Sequence, residues 1–265
     1  MSAGAAELIR PDWPAPAHVH AISTTRSGGA SEAPYASLNL GTHVGDDVDV
    51  VAANRAQLCR EAGLTTAPGW LDQVHGTLVA DFDAADPDRH RVPPTADAAI
   101  TMRPGRVCVI MTADCLPVLL TDREGRAVAA AHGGWRGLVG GIVEATVAAF
   151  EARGLAADSL LAWLGPAIGP AAYEVGPDVA EKLDAGSNST GGAAALTPGR
   201  AGHWQLDLYQ LARTRLAACG VEAVYGGGEC TFSDSTRFYS YRRDGVTGRQ
   251  ASLIWIDRGQ TPEGV

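Results

Sequence analysis

The sequence is short of positive charge. Its formal net charge is −9 at pH 7, and a general nucleic-acid binder needs a basic footprint to displace counterions from the phosphate backbone. That role is disfavoured, although a local cluster of arginines can still hold a small phosphorylated ligand. Cysteine is also scarce. The five, Cys59, Cys108, Cys115, Cys219 and Cys230, are odd in number and widely scattered. They do not read as a disulfide framework and suit a reducing cytoplasm. Long apolar runs are missing: none reaches about 18 residues, so no membrane span is expected. The opening stretch, MSAGAAELIRPDWPAP, has no apolar segment behind a basic start, so no signal peptide is expected. There is no internal repeat, no Walker motif and no dinucleotide fingerprint. The short Cys/His spacings of a zinc finger are absent too.

What is present suffices for a sizeable core. Apolar residues are 46% of the chain and charged residues 19%, which argues against disorder. Strands are expected at Val19–Thr25, Asp97–Thr101, Val107–Met111, Ala127–Ala131, Leu160–Leu164, Phe238–Tyr241 and Ser252–Ile256, from their β-branched and apolar content. Pro117 is expected to interrupt the chain before Val118–Leu120 resumes an extended course. Asp49 can cap a helix running to about Ala62 and closed by Gly63. Leu138 to Phe150 carries the clearest helical face, built from Leu138, Val139, Ile142, Val143, Val147 and Phe150. Pro177 suits the first turn of a helix ending near Gly186, and Asp207 starts another that ends at Gly220. The stretch Ala185–Gly202, rich in Gly, Ala, Ser and Asn, reads as a surface excursion. Strands and helices mix without a strict βαβ rhythm. This predicts an α/β fold of the mixed α+β sandwich kind. Dense motifs in both halves favour one catalytic domain over 1–265, with its core at about 19–257.

Three segments carry ligand chemistry: Gln73-Val74-His75-Gly76, Ala113-Asp114-Cys115-Leu116-Pro117 and Ala131-His132-Gly133-Gly134-Trp135-Arg136-Gly137. Cys115 and His132 are each expected at the end of a strand, where side chains can share a crevice. Two imidazoles and one thiolate suit zinc, and three protein ligands leave a fourth position for water or substrate. The same residues also read as ordinary buried side chains. A third reading makes Cys115 a nucleophile with His132 as its base, oriented by Asp114 or Gln73. Arginines beside glycines form a second group: Arg26 in TTRSGG, Arg136 in the HGGWRG turn, and Arg242 and Arg243 in YSYRRDG. Arginine is the usual bidentate partner of phosphate, and glycines let backbone N–H groups approach an anion. Each is equally readable as a solvated surface residue. Gly165–Pro170, followed by Tyr173–Gly176, could wall a pocket or serve as a rigid structural loop. Tyr239 and Tyr241, alternating in a strand, would face opposite sides.

Together these segments resemble the YfiH-type family, whose members are described both as laccase-like multicopper polyphenol oxidases and as purine nucleoside phosphorylases. The resemblance rests on TTRSGG, YASLNLGTHVGDD, QVHG, TADCLPVLL, AAHGGWRGLVGGIVE, WLGPAIGPAAYEVG and FYSYRRDGVTGRQASLIW. It runs from about Ser23 to Ile256. It implies a single α/β domain similar to the catalytic domain of cytotoxic necrotising factor toxins, with a metal on His75, Cys115 and His132. The implied cofactor is zinc (Zn2+), with copper possible from the oxidase description. The implied reactions are phosphorolysis of adenosine, inosine and methylthioadenosine, and deamination of adenosine. Nucleosides and phosphate are then the small-molecule partners. A cysteine amidohydrolase that removes a wrongly added serine from a UDP-linked muramic acid is the alternative; a copper-dependent polyphenol oxidase and a non-catalytic metal-binding or regulatory module are the weaker ones. The family's usual Ala-Gly after the second histidine is Gly133-Gly134 here, which is expected to loosen that loop. Several coppers would need many more histidines. The others, His18, His20, His43, His90 and His203, show no clustered His-x-His beyond His18-Val19-His20, which argues against an oxidase. In the metal-enzyme reading, Asp114 transfers a proton or orients a histidine ligand. Arg26, Arg136 and Arg242 contact phosphate or ribose, and Asn39 is a polar pocket contact.

Overall fold

The computed structural model describes residues 5–84, 92–185 and 192–257. His90 and part of the 185–202 excursion lie outside these residues. Two sheets face each other. The first has strand order β1-β2-β13-β5, all antiparallel. Its members are β1 (Leu8–Ile9), β2 (Val19–Thr24), β5 (Val107–Thr112) and β13 (Gln250–Ile256). The second is mixed, in the order β12-β8-β6-β7-β4-β3. It is built from β3 (Val79–Asp81), β4 (Ala98–Thr101), β6 (Leu116–Asp122), β7 (Val128–Gly133), β8 (Leu160–Leu164) and β12 (Ala223–Gly226). Only its two edge strands pair in parallel, β3 with β4 and β12 with β8. A small antiparallel sheet joins β9 (Glu174–Val175), β10 (Leu196–Pro198) and β11 (Trp204–Leu206). The end of the expected excursion thus folds back as a hairpin.

The period-2 alternation of side chains sorts these strands into layers. In β5, Val107, Val109 and Met111 pack outward with Ile22, Leu253 and Leu58 of α1 (Val48–Glu61). Cys108 and Ile110 point the other way, into the space between the sheets, where they meet Val128 and Ala130 of β7. The intervening Ala129 and Ala131 face a third core. There they meet Val143, Val147 and Phe150 of α3 (Ile142–Glu151) and Leu208, Leu211 and Leu216 of α5 (Leu208–Ala218). The order of layers is helix, sheet, sheet, helices. The alanine-rich β7 is buried on both faces, and its small side chains let two cores approach one central strand. This is the mixed α/β single-domain sandwich expected from the sequence.

Several elements depart from expectation for local reasons. The cap of α1 is Asp47, whose carboxylate accepts from Asp49 N at 2.8 Å and Val50 N at 3.2 Å. Asp49 sits in the first turn instead. The expected 138–150 helix is two helices, α2 (Trp135–Gly140) and α3, because Gly141 adopts φ +102° between them. Pro117 does not interrupt β6. Its carbonyl accepts from Gly165 N at 3.0 Å. Its ring nitrogen therefore points to the same side, past the end of β8, where no ladder acceptor is left waiting. Phe238–Ser240 is not a strand; it leads into α6 (Tyr241–Asp244), capped by Ser240. Tyr239 and Tyr241 still differ sharply, one fully buried and the other 62% exposed. Helix α4 (Pro177–Ala185) begins at its proline as expected. Gly133 loosens nothing: it is buried, pairs with Leu116, and an added Cβ would lie 2.8 Å from the Leu116 carbonyl oxygen.

Candidate active site

Three connections converge where the two sheets meet. The segment Ala113–Cys115 carries the chain from β5 in the first sheet to β6 in the second. Cys115 therefore lies in a bend just before β6, not at a strand's end. The crossover needs a backbone that L-residues rarely adopt, and Asp114 supplies it with φ +91°. That conformation is locked: Thr231 Oγ1 donates to Asp114 Oδ1 at 2.7 Å, and Arg242 N to Oδ2 at 2.7 Å. Ile168 N donates to the Asp114 carbonyl at 2.9 Å. The second connection is Gln73–Gly76. Gln73 behaves like a strand neighbour of Met111, donating from Nε2 to its carbonyl and accepting its N–H, both at 2.9 Å. His75 then takes φ +61°. Among the described residues, His75 and Asp114 are the two non-glycine residues at positive φ. Such strain costs on the order of 1–3 kcal/mol per residue and persists where surrounding contacts over-determine it. The third connection is the end of β7 and the turn into α2, which carry His132 and Gly134 respectively. A Cβ on Gly134 would lie 2.7 Å from His75 Cδ2 and 3.2 Å from Cys115 Sγ. Only glycine leaves room for the two side chains.

The ligand atoms of His75, Cys115 and His132 all lie within 4.8 Å of one another. Cys115 Sγ is 3.7 Å from His75 Nε2, and the two imidazole rings meet edge-on with centroids 4.7 Å apart. One buried carboxylate organises both histidines. Asp97 Oδ1 accepts from His132 Nδ1 at 2.8 Å and from His75 N at 2.9 Å. Its Oδ2 accepts from Gly76 N at 2.6 Å and Val74 N at 3.2 Å. Burial works against ionising Asp97, but these donors, His132 first, hold its carboxyl below the ordinary range. With Nδ1 committed to Asp97, His132 offers Nε2 to the centre. Burial also opposes ionisation of Cys115, yet His132 and then His75 bring its thiol down to about 6. Burial pulls His132 down, while Cys115 and Asp97 push it up to about 9. The metal-free set is thus polarised toward a Cys115 thiolate beside a protonated His132, whose Nε2 becomes a ligand when a metal takes the place of that proton. That donor chemistry, at a span near that set by bond lengths of about 2.0–2.3 Å, fits a single zinc-type ion.

The centre lies in a cavity of about 600 Å³, large enough for a nucleoside-sized ligand. Aromatic and cationic side chains alternate on its wall. Arg136 lies over Trp135 at 4.5 Å and Arg242 over Tyr173 at 4.9 Å, and Tyr241 and Arg249 complete that wall.

A family model described as multi-copper polyphenol oxidoreductase laccase matches residues 20–257. The chain belongs to this laccase-like, YfiH-type family. It is 53% identical over 248 residues to a purine nucleoside phosphorylase of Pseudomonas aeruginosa, covering 94% of this chain and 98% of that one. It is 48% identical to the purine nucleoside phosphorylase YfiH of Escherichia coli, over 94% of this chain and 99% of the relative. Among solved structures, a Neisseria meningitidis protein superposes with a TM-score of 0.87 at 45% identity, covering 94% and 99% of the two chains. YlmD from Geobacillus stearothermophilus superposes at 0.83 with 32% identity, covering 91% and 93%.

Within this laccase-like frame the expected residues divide. His75, Cys115, His132, Arg136 and Arg242 share the cavity. Arg26 and Asn39 do not line it. Arg26 donates to the carbonyls of Ala36 and Ser235 and covers the ring of Tyr239. Asn39 is fully buried and accepts from Gly41 N and Arg249 N, both at 2.9 Å. Arg243 donates to the carbonyls of Thr231, Phe232 and Phe238. Gly165–Gly169 is a rigid structural loop, tied to Pro117, Tyr209 and Cys230. The histidine-orienting bond expected of Asp114 is made by Asp97; neither Asp97 nor Arg249 was expected at the site, whereas Tyr173 lines the cavity, as the pocket-wall reading of its segment allowed. Of the other described histidines, His18 faces Gly125, His20 pairs with Asp257 and His203 contacts Arg200, while His43 lines the cavity outside the triad. Among the described residues, the triad is the one group of three or more potential ligands.

Proposed function

We propose that the chain is a zinc-dependent purine nucleoside phosphorylase acting on adenosine, inosine and methylthioadenosine, with adenosine deaminase activity at the same centre. The observation that carries this reading is the convergence of two imidazoles and a thiolate in a cavity walled by aromatic rings and arginines. The names of the relatives support it. Zinc held by His75, Cys115 and His132 would supply a Lewis acid able to polarise a phosphate oxygen or lower the pKa of a water. The chain's own residues do the rest. Asp97 fixes the tautomer and direction of His132. Trp135, Tyr173 and Tyr241 offer faces for the purine. Arg136 and Arg242 orient phosphate toward the anomeric carbon, whose bond to the base breaks as the new C–O bond forms. For deamination, water attacks the amino-bearing ring carbon and ammonia leaves. Asp114 serves as a positioning residue, since both its oxygens are held by Thr231 and Arg242. Five free cysteines support a reducing, cytoplasmic setting.

One observation favours the cysteine amidohydrolase as a second reading: the Cys115 thiol, brought down to about 6 beside His132, has the character of an activated nucleophile. A single experiment separates the two. Metal-stripped and zinc-reloaded protein are incubated with adenosine, with and without phosphate, and the products are resolved by chromatography. The zinc reading expects adenine and ribose 1-phosphate with phosphate, some inosine without it, and both only after reloading. Equal turnover by stripped protein, abolished by iodoacetamide at Cys115, would establish the nucleophile instead. No turnover by either form would remove the purine reading.

A further inference from the structure

Arg249 has no place in the reaction as described so far, yet the fold is arranged to present it. Its backbone N–H donates to Asn39 Oδ1 at 2.9 Å, and its stem crosses Gly41, where an added Cβ would lie 2.8 Å from Arg249 Cγ. Gly248 is packed so closely that a Cβ there would meet the Tyr239 ring at 2.7 Å. From this seat Nη1 donates to the carbonyls of Thr247 at 3.1 Å and Gly248 at 2.9 Å. Among the described residues no carboxylate pairs with Arg249, and Nε and Nη2 have no partner. Cys115 and Asp114, in the same cavity, act on its charge without bonding to it, so the free nitrogens of a half-buried cation are left without a direct partner, which is costly unless a ligand supplies one.

Two neighbours in the cavity wall extend the arrangement. Thr112 pairs in register with Gln250, the residue after Arg249. It lines the cavity, and its buried Oγ1 has no hydrogen-bond partner. His43 lines the cavity too, in the loop that also holds Asn39 and Gly41. Burial first, then Arg249 and Arg55, keep His43 below its ordinary pKa, against the opposing pull of Asp72. The field there is positive in a protein whose net charge is −9. Arg136 and Arg242 form a different group, stacked on Trp135 and Tyr173.

We propose that Arg249, with Thr112 and His43, forms a second oxyanion subsite that takes a phosphoryl group, separate from Arg136 and Arg242. The fork of Arg249 matches a tetrahedral oxyanion; the Thr112 hydroxyl, covered and unpaired as it stands, would join it by turning about χ1. The occupant is either free phosphate or the 5′-phosphate of a nucleotide. Placing either one beside a nucleoside rests on the function proposed above; the subsite itself does not.

Calorimetric titration of the zinc-loaded protein with inorganic phosphate, adenosine 5′-monophosphate and adenosine tests this without requiring turnover. It therefore reads separately from the phosphorylase reaction. If free phosphate is the occupant, Arg249→Leu weakens phosphate binding by about tenfold or more, and the monophosphate binds no better than adenosine. If a nucleotide is the occupant, the wild type prefers the monophosphate to adenosine by about tenfold or more, and the variant loses that preference. Adenosine affinity and zinc content stay at wild-type values in both cases. Should Arg249→Leu fail to fold, His43→Ala, at an exposed position, lowers the same affinity about threefold. A folded Arg249 variant that binds phosphate and the monophosphate like the wild type overturns the proposal, as does an unaffected His43→Ala where that variant must serve.

Discussion

Asp97 is the residue on which the centre turns. Its two oxygens hold the Val74–Gly76 backbone in a left-handed turn and fix the ring of His132. Replacing it with Asn keeps the volume but turns one acceptor into a donor facing N–H groups. Asp97→Asn is expected to lower zinc affinity about 10–100-fold, measured by competition with a chromophoric chelator, while thermal melting still shows a folded protein. Unchanged affinity would mean that His132 keeps its orientation without the carboxylate. Asp97 was not legible in the sequence, where it is one acid before an ordinary strand. The ligands were, because His75, Cys115 and His132 sit in short segments with unusual neighbours. Arg249 was hidden for the opposite reason: its seat is Asn39, 210 residues earlier. Arg26 misled because an arginine among glycines suggests an anion loop, whereas its guanidinium is spent on carbonyls of its own fold.

At the scale of elements, the turn between β6 and β7 sets the pairing that carries His132. Asp122 is buried and gathers that turn, accepting from Glu124 N, Arg126 N, Ala127 N and Arg126 Nε at 2.7–3.3 Å. Burial opposes its charge, but these donors, Arg126 foremost, hold its carboxyl below the ordinary value. A depressed carboxylate contributes stability above its unfolded pKa, about 3.9, and that contribution fades as pH falls through the lower folded value. Asp122→Asn is therefore expected to cost roughly 1–3 kcal/mol at neutral pH. The gap from wild type should narrow below about pH 4. Urea unfolding at pH 7 and pH 3.5 checks this; a gap that is constant with pH would show that the carboxylate's charge is irrelevant. Most strands could be read from their side chains, since β2, β4, β5, β7, β8 and β13 are runs of apolar and β-branched residues. Their assignment to sheets could not. β5 and β6 are neighbours in sequence with similar composition, yet the three residues between them cross from one sheet to the other. The break at Gly141 was hidden because the apolar face of 138–150 continues through it.

At the scale of the whole molecule, the centre and the three cores are nearly independent. None of His75, Cys115 and His132 belongs to a core cluster, and the layers close around Ala129, Ile110, Phe150 and their neighbours without them. A small zinc domain unfolds when its metal is removed because the metal supplies its folding energy. Here the cores supply it, so chelation is expected to leave the far-ultraviolet circular dichroism unchanged. Zinc held by the proposed triad would bind the folded state alone, because the unfolded chain cannot bring together ligands from three distant segments. At a free concentration about 100 times its Kd it should add about 2.7 kcal/mol. For a chain of this size that corresponds to a rise in Tm of roughly 5–10 °C. Calorimetric scans with and without zinc, on wild type and Cys115→Ala, test both halves of the argument. The variant should melt near the wild-type apo temperature and respond little to zinc. A wild-type-sized zinc response in Cys115→Ala would place the stabilising metal elsewhere, and loss of helix and sheet signal on chelation would make the metal part of the fold.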